Sequence, residues 1–331
     1  MLCPHLPRLL PAVMALAAAA CVIGCGGPSS RPQEPADHVL MIVVDTLRAD
    51  HLGGFGYARA TSPAIDALAA RGAAFTNAVA QSSWTAPSMV SLFTGKVVAE
   101  ERMNMAPDHA VLPEIFREAG FKTAGFIANP LLVEENGFHR GYDEWRRIGV
   151  PKGIHDQPEP NDVLVSWIAD HSDERTFTWV HFTEPHDPYR PPREYMELHR
   201  NSSTPFPPGR QDYYSELSDL LGMGDPKGPV RSIGRQISAY DSEINLVDER
   251  VAALVAAVDA AGLADSTLIV LASDHGEGLW TRLSYNVGAR LAAARAGEAP
   301  TLKNSLHMTH GSQLYEELLH VPIVLAGPGI P

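Results

Sequence analysis

Val39-Leu40-Met41-Ile42-Val43-Val44-Asp45-Thr46-Leu47-Arg48 is an unbroken apolar run that stops at a carboxylate. A run without polar alternation reads as a strand buried on both faces. A carboxylate just beyond it is poorly placed for a core and well placed for a cation. Residues 267–272 repeat the pattern and lead into Ser273-Asp274-His275-Gly276-Glu277. Further strands read at 75–79, 122–128, 177–182 and 321–326. Helical segments fall between them. Ser62-Pro63 opens one, with Ile65 and Leu68 on one face and Gly72 to close it. Another spans 87–93, and a third starts at Leu112-Pro113-Glu114 and ends near Gly120. Ile244, Val247, Val251, Leu254 and Val258 recur at steps of three and four before Gly262, an amphipathic helix. Such alternation predicts an α/β fold, a mostly parallel sheet with helices on both faces. Ligands of open α/β sheets bind beyond the carboxyl ends of the strands. Asp45, Asn129, Glu184-Pro185-His186 and Asp274 all fall at such ends.

The chain has 331 residues, room for one large domain or two small ones. With 45% hydrophobic and 20% charged residues it has the composition of a soluble globular protein. A net charge of −13 argues against a nucleic-acid partner, which needs a basic face. An anionic substrate stays open, because a bound cation inverts the local field. At the N-terminus Arg8 precedes an apolar stretch over 9–23, then Gly24-Cys25. The stretch is short for a membrane span and suits a signal peptide. Small and aliphatic residues before the cysteine resemble a bacterial lipobox, so residues 1–24 read as a lipoprotein signal and Cys25 as the lipidated residue. Ordinary cleavage nearby and an uncleaved anchor are the alternatives. Residues 25–37 then form a flexible tether. All three cysteines lie in or at the end of this leader, which excludes disulfides, thiolate ligands and a cysteine nucleophile from the folded part. Residues 196–231 and 282–306 look like insertions, the first either a lid or a plain surface loop.

Asp45 and Asp274 offer hard oxygen ligands, His275 a nitrogen and Thr85 a further oxygen. This set suits one divalent ion, Mg, Mn or Zn, and Ca less clearly because of the imidazole. Helix capping explains one such Asp. Two of them, one followed by His, together with a hydroxyl before a helix, favour the metal. Thr85, in Ser83-Trp84-Thr85-Ala86-Pro87-Ser88, reads both as an N-cap and as a nucleophile, and the roles are compatible. His186 sits in a proline-rich turn after a strand. His310, before Gly311, is a candidate for protonating a leaving group or binding an oxyanion. Arg48 and Lys96 can hold an anionic group or serve as solvated surface charges.

Residues 44–53, 83–88, 273–278 and 314–322 together resemble the sulfatase family of the alkaline phosphatase superfamily, in the right order and over 38–331. The resemblance implies an alkaline-phosphatase-like core. It implies metal ligation by Asp45, Asp274 and His275, the nucleophile at Thr85, and contacts from His186 and His310 to the oxyanion or leaving group, with Asn129 in the same pocket. The chain also departs from the family. Sulfatases carry Cys or Ser, converted to formylglycine, within Cys/Ser-x-Pro-x-Arg; here the positions hold Thr85 and Met89. Threonine cannot yield the aldehyde whose hydrate expels sulfate, so a phospho-threonine intermediate is easier to rationalise. Thr46 stands at a second acidic position of the family, and the expectation is a catalytic domain over 38–331 without the C-terminal subdomain usual in the family. The expectation is an exported, metal-dependent hydrolase of phosphate, phosphonate or sulfate esters. It takes a small-molecule or envelope substrate and is anchored by lipid at the periplasmic or cell-envelope face of a membrane. A phosphotransferase to an envelope acceptor and an inactive binding protein are the alternatives.

Overall fold

Among the described residues seven strands form one sheet in the order β2-β7-β6-β1-β5-β3-β4. They are β1 (His38–Val44), β2 (Ala73–Val79), β3 (Lys122–Ile127), β4 (Glu144–Arg147), β5 (Thr176–Phe182), β6 (Thr267–Ser273) and β7 (His320–Ala326). In this computed structural model the described residues are 35–98, 103–149, 160–200, 216, 227–282 and 306–331. The expected signal segment 1–24, Cys25 and all but the end of the tether lie outside them, as does most of 282–306. Residues 36–331 form one compact unit. Among the described residues no helix is long and apolar enough to cross a membrane.

The sheet is mostly parallel, as the alternation of strands and helices predicts. Strand β1 pairs in parallel with β5 and β6, and β3 with β5 and β4; β7 runs antiparallel to β6 and β2. Among the described residues the helices are α1 (Pro63–Ala70), α2 (Thr85–Thr94), α3 (Leu112–Glu118), α4 (Pro160–Asp170), α5 (Arg193–Arg200), α6 (Lys227–Ala260) and the single turn α7 (Glu316–Leu319). Alternate residues of β1 point to opposite faces. Leu40, Ile42 and Val44 pack in one core with Ile65 and Leu68 of α1, Leu164 and Trp167 of α4, and the apolar stripe of α6. Val39, Met41 and Val43 pack in the other with Met89, Val90 and Phe93 of α2. This two-sided burial is why β1 is apolar throughout Val39 to Val44.

Two elements differ from the sequence reading. Residues 196–231, read as an insertion, are helical at both described ends, because α5 covers the start and α6 begins at Lys227. Pro229 sits in the first turn of α6, where a missing N–H breaks no helical bond. Helix α2 starts at Thr85 itself, with Trp84 as N-cap.

The carboxyl ends of β1, β5 and β6 lie level: Val44 pairs with both Phe182 and Ser273. Asp45, Thr183 and Asp274 therefore emerge side by side. Behind this edge a buried ionic cluster ties the loop after β1 to α6. The Asp241 carboxylate, fully buried, lies 2.7 Å from His51 Nδ1 and accepts from the Tyr57 hydroxyl and Arg59 Nη1 at 2.7 Å each. Burial alone would raise the Asp241 carboxyl; His51 and then Arg59 outweigh it and hold the group below the ordinary range. A depressed carboxyl adds stability above its unfolded pKa, and that stability is lost as pH falls through the folded value. Asp241→Ala leaves Arg59 without its buried partner, and is expected to cost about 3–5 kcal/mol at pH 7 and less in acid, read by urea unfolding. A cost under about 1 kcal/mol at pH 7 would show that the cluster holds nothing.

Candidate active site

Two tight turns bring the sequence motifs together. After β1 the chain reverses through Thr46, a buried β-branched residue in the left-handed region with φ 59°. Such a conformation is strained for threonine and needs external support. The Thr46 amide donates to Asp274 Oδ1 at 3.3 Å, and its carbonyl accepts from the Tyr240 hydroxyl at 2.7 Å. After β6, Ser273 Oγ accepts from the Leu47 amide at 3.0 Å and donates to the His275 carbonyl at 2.7 Å. Ser88 Oγ donates to the Asp274 carbonyl at 2.5 Å and docks α2 on this turn. Gly276 lies so close to the Glu317 backbone that a β-carbon there would overlap its carbonyl oxygen.

These turns place Asp45, Thr85, Asp274 and His275 in contact, all essentially buried. His275 Nε2 is 3.1 Å from Thr85 Oγ1, 3.6 Å from Asp45 Oδ1 and 3.5 Å from Asp274 Oδ2. Its Nδ1 donates to the Gly276 carbonyl at 2.9 Å, which leaves Nε2 as the lone-pair nitrogen facing the carboxylates. Burial pushes the His275 imidazole down to about 4, so it is neutral and able to ligate. Asp45 Oδ1 and Asp274 Oδ2 are buried with no hydrogen-bond partner among the described residues. Burial, and then the Asp274 carboxylate facing it, push Asp45 up to about 8. Two buried, unpartnered carboxylate oxygens beside a neutral imidazole and a hydroxyl call for positive charge between them. Asp45, Asp274 and His275 form a cluster able to hold a divalent cation, and the donor set fits one.

Asn129 donates from Nδ2 to Asp45 Oδ2 at 2.6 Å, and its Oδ1 accepts from the Leu131 amide. It also lines the cleft beside Thr85, but its amide is engaged in orienting Asp45. His310 lies over the site, with ring centroids 4.5 Å from His275 and 4.8 Å from His186. Its Nδ1 is 3.1 Å from Glu277 Oε1. Burial opposes charge on His310, but Glu277, with Asp45 and Asp274, outweighs it and raises the imidazole to about 9.

Arg48 and Lys96 are not brought to the centre. The Arg48 guanidinium is buried, paired with Asp50 at 2.6 and 2.8 Å, and donates to the Glu277 carbonyl at 3.0 Å. Lys96 is exposed beyond the C-terminal end of α2. Since α2 has ten residues, that is about 15 Å from Thr85 at 1.5 Å per residue.

Two residues without an assigned role in the sequence reading stand close to the site. Glu277 is fully buried against His310. His181 of β5 is also fully buried, 3.8 Å from Asp274 Oδ2, and neither of its ring nitrogens has a partner among the described residues. A charged residue straight after Asp-His-Gly was the available signal for Glu277. A lone histidine inside an apolar strand was the signal for His181.

A cleft of about 500 Å³ opens beside Thr85. Trp84, Asn129, Leu131 and His186 are among its walls. The fold around it recurs in solved structures. The C-terminal periplasmic domain of EcEptC from Escherichia coli, in complex with Zn, superposes with a TM-score of 0.64 at 16% identity, over 89% of this chain and 74% of that one. Phosphonate monoester hydrolase of Agrobacterium radiobacter gives the same TM-score at 19% identity, over 89% and 68%. Among curated proteins, human iduronate 2-sulfatase is 25% identical over 313 residues, covering 75% of this chain and 57% of that protein. Choline-sulfatase of Rhizobium meliloti is 28% identical over 341 residues, covering 84% and 65%. The chain thus spans 57% and 65% of the length of these two curated relatives. The model of the sulfatase family matches residues 37–331, the whole stretch that builds the sheet and its carboxyl edge, and the chain belongs to that family.

Proposed function

We propose that the protein is a divalent-metal-dependent hydrolase of phosphate, phosphonate or sulfate esters with Thr85 as nucleophile. One observation carries this reading: Thr85 Oγ1 stands 3.1 Å from the imidazole that joins two unpartnered, buried carboxylates. Asp45, Asp274 and His275, with Thr85, would hold the cation, which would lower the hydroxyl pKa and supply positive charge to the transferring group. Zn is supported by the mixed donor set and by the Zn complex of the Escherichia coli neighbour.

Thr85 is the first residue of α2, so the helix N-terminus faces the anionic group it attacks. Its oxygen, deprotonated to the alkoxide, forms the new bond to phosphorus or sulfur as the bond from that atom to the ester oxygen breaks, and the ester oxygen leaves with a proton from His310. Glu277 accepts from Nδ1 of that imidazolium and leaves the Nε2 proton for the departing oxygen. The His186 Nδ1 proton is held by the Asp187 carbonyl, which turns Nε2 toward the substrate. Water then attacks the central atom while His310, now neutral, takes its proton, and the bond to Thr85 Oγ1 breaks to return the alkoxide. Without an aldehyde at this position, in-line displacement at phosphorus is the favoured second step. Residues 1–24 serve as an export signal, Cys25 as the lipid anchor, and the envelope as the place of action.

The test is a panel of aryl phosphate, phosphodiester, phosphonate and sulfate esters, with and without an added alcohol, on purified protein analysed for metal. Turnover that stops on chelation and returns with a divalent ion is the expected result. Metal-free protein that takes up no ion and turns over no ester would establish a binding protein instead. Phosphate or sulfate ester of the added alcohol, formed in place of free phosphate or sulfate, would mark a transferase.

A further inference from the structure

The cleft beside Thr85 differs from a carbohydrate site in the chemistry of its walls. Next to the nucleophile stand Trp84, Ala128, Pro130, Leu131 and Pro188, all apolar. Gly311, with a left-handed backbone (φ 88°), lies near the Trp84 indole, since a β-carbon there would stand 3.7 Å from the ring. The polar members are mostly engaged elsewhere. Asn129 holds Asp45 and the Leu131 amide. Glu184 is paired with Arg250 at 2.9 Å. His186 donates from Nδ1 to the Asp187 carbonyl and keeps Nε2 for the transferring group. Thr183 remains as a small hydroxyl, and Asp187 and Arg190 bring charge at the half-buried and exposed positions.

We infer that the leaving alcohol is apolar, an aromatic ring or a hydrocarbon chain, and not a polyhydroxylated sugar; this rests on the reading of Thr85 as nucleophile. A sugar entering this cleft exchanges water for Trp84, Leu131 and two prolines. Each hydroxyl without a partner lowers affinity and rate, and Thr183, Asp187 and Arg190 are the described lining side chains left to offset the loss. An apolar group gains by the same exchange. Trp84 and Leu131 are then the residues that set specificity, through the leaving group and not through the transferred one.

The deciding experiment measures kcat/KM for primary-alcohol monoesters of similar leaving-group basicity: benzyl, octyl, ethyl and glucose-6-yl, each as phosphate and as sulfate. The better of benzyl and octyl is expected to exceed ethyl by about 30-fold, the gain from burying about 80 Å² of apolar surface. The glucose ester is expected to do no better than ethyl. A larger rate for benzyl marks an aromatic substrate, and a larger rate for octyl a lipid-like one. Trp84→Ala and Leu131→Ala are each expected to bring the apolar-to-ethyl ratio toward 1, and having both guards against one of them failing to fold. Glucose-6-yl ester cleaved as fast as the benzyl and octyl esters, or a ratio that both variants retain, overturns the inference while leaving Thr85 in place. No turnover of any ester, activated nitrophenyl esters included, overturns the assignment of the site and this inference with it.

Discussion

Thr85→Ala is expected to lower kcat/KM by at least about 10³-fold on whichever ester the wild-type protein cleaves best, because removing a nucleophile removes the covalent route and not merely a contact. Truncation to alanine leaves α2 with its Trp84 cap and its packing through Met89, Val90 and Phe93, so folding stays intact. Thr85→Ser keeps the hydroxyl and is expected to retain turnover. Quenched single-turnover reactions read by mass spectrometry should show one added phosphoryl or sulfuryl group on the peptide carrying residue 85 in wild type, and none in Thr85→Ala. Equal turnover by wild type and Thr85→Ala would remove Thr85 from the chemistry, whatever the metal does.

The second large effect concerns the pair of carboxylates. Burial, and then Asp274, raise Asp45 to about 8 from an ordinary 3.8. An acid whose folded pKa lies above its unfolded one binds more protons when folded, so between pH 4 and 8 metal-free stability falls as pH rises. The Asp45 contribution reaches about 1.4 kcal/mol per pH unit at most. Chelated protein should therefore melt at a lower temperature at pH 8 than at pH 5, and a divalent ion should restore the loss most strongly at pH 8. Asp45→Asn keeps the shape and removes the charge. It should flatten this slope, raise metal-free stability at pH 8, and abolish stabilisation by the ion. Parallel melting curves for wild type and Asp45→Asn across pH 5–8, with the ion equally effective on both, would show that Asp45 neither faces Asp274 as a charge nor binds the cation.

The legibility of these features in the sequence follows from how each residue is buried. Strands β1 and β6 are covered on both faces, so their apolar runs stand out, and the carboxylates that end them stand out with them. Strand β4 is Glu144-Trp145-Arg146-Arg147 at the edge of the sheet, half-buried and exposed, and carries no such run. Helix α4 buries Val163, Leu164, Trp167 and Ile168 on one stripe, a helical spacing confined to eleven residues. The antiparallel entry of β7 leaves no mark in the apolar pattern, since a two-sided strand reads the same in either direction. Arg48 shows the limit for charged residues. Beside Asp45 in the chain it looks like an anion clamp, whereas its guanidinium turns to Asp50 and the Glu277 carbonyl.

From the sequence alone follow the layered α/β architecture, the ends of its central strands and the donor types of the site, because solvent exposure and metal chemistry select residue types locally. Which of those donors meet is a matter of register and of two tight turns. The level ends of β1 and β6 put Asp45 beside Asp274, α2 carries Thr85 to His275, and its length carries Lys96 away. Distances of 3 to 4 Å between residues as far apart as 45, 85 and 275 depend on the packing of the whole sheet, and no local stretch of chain encodes them.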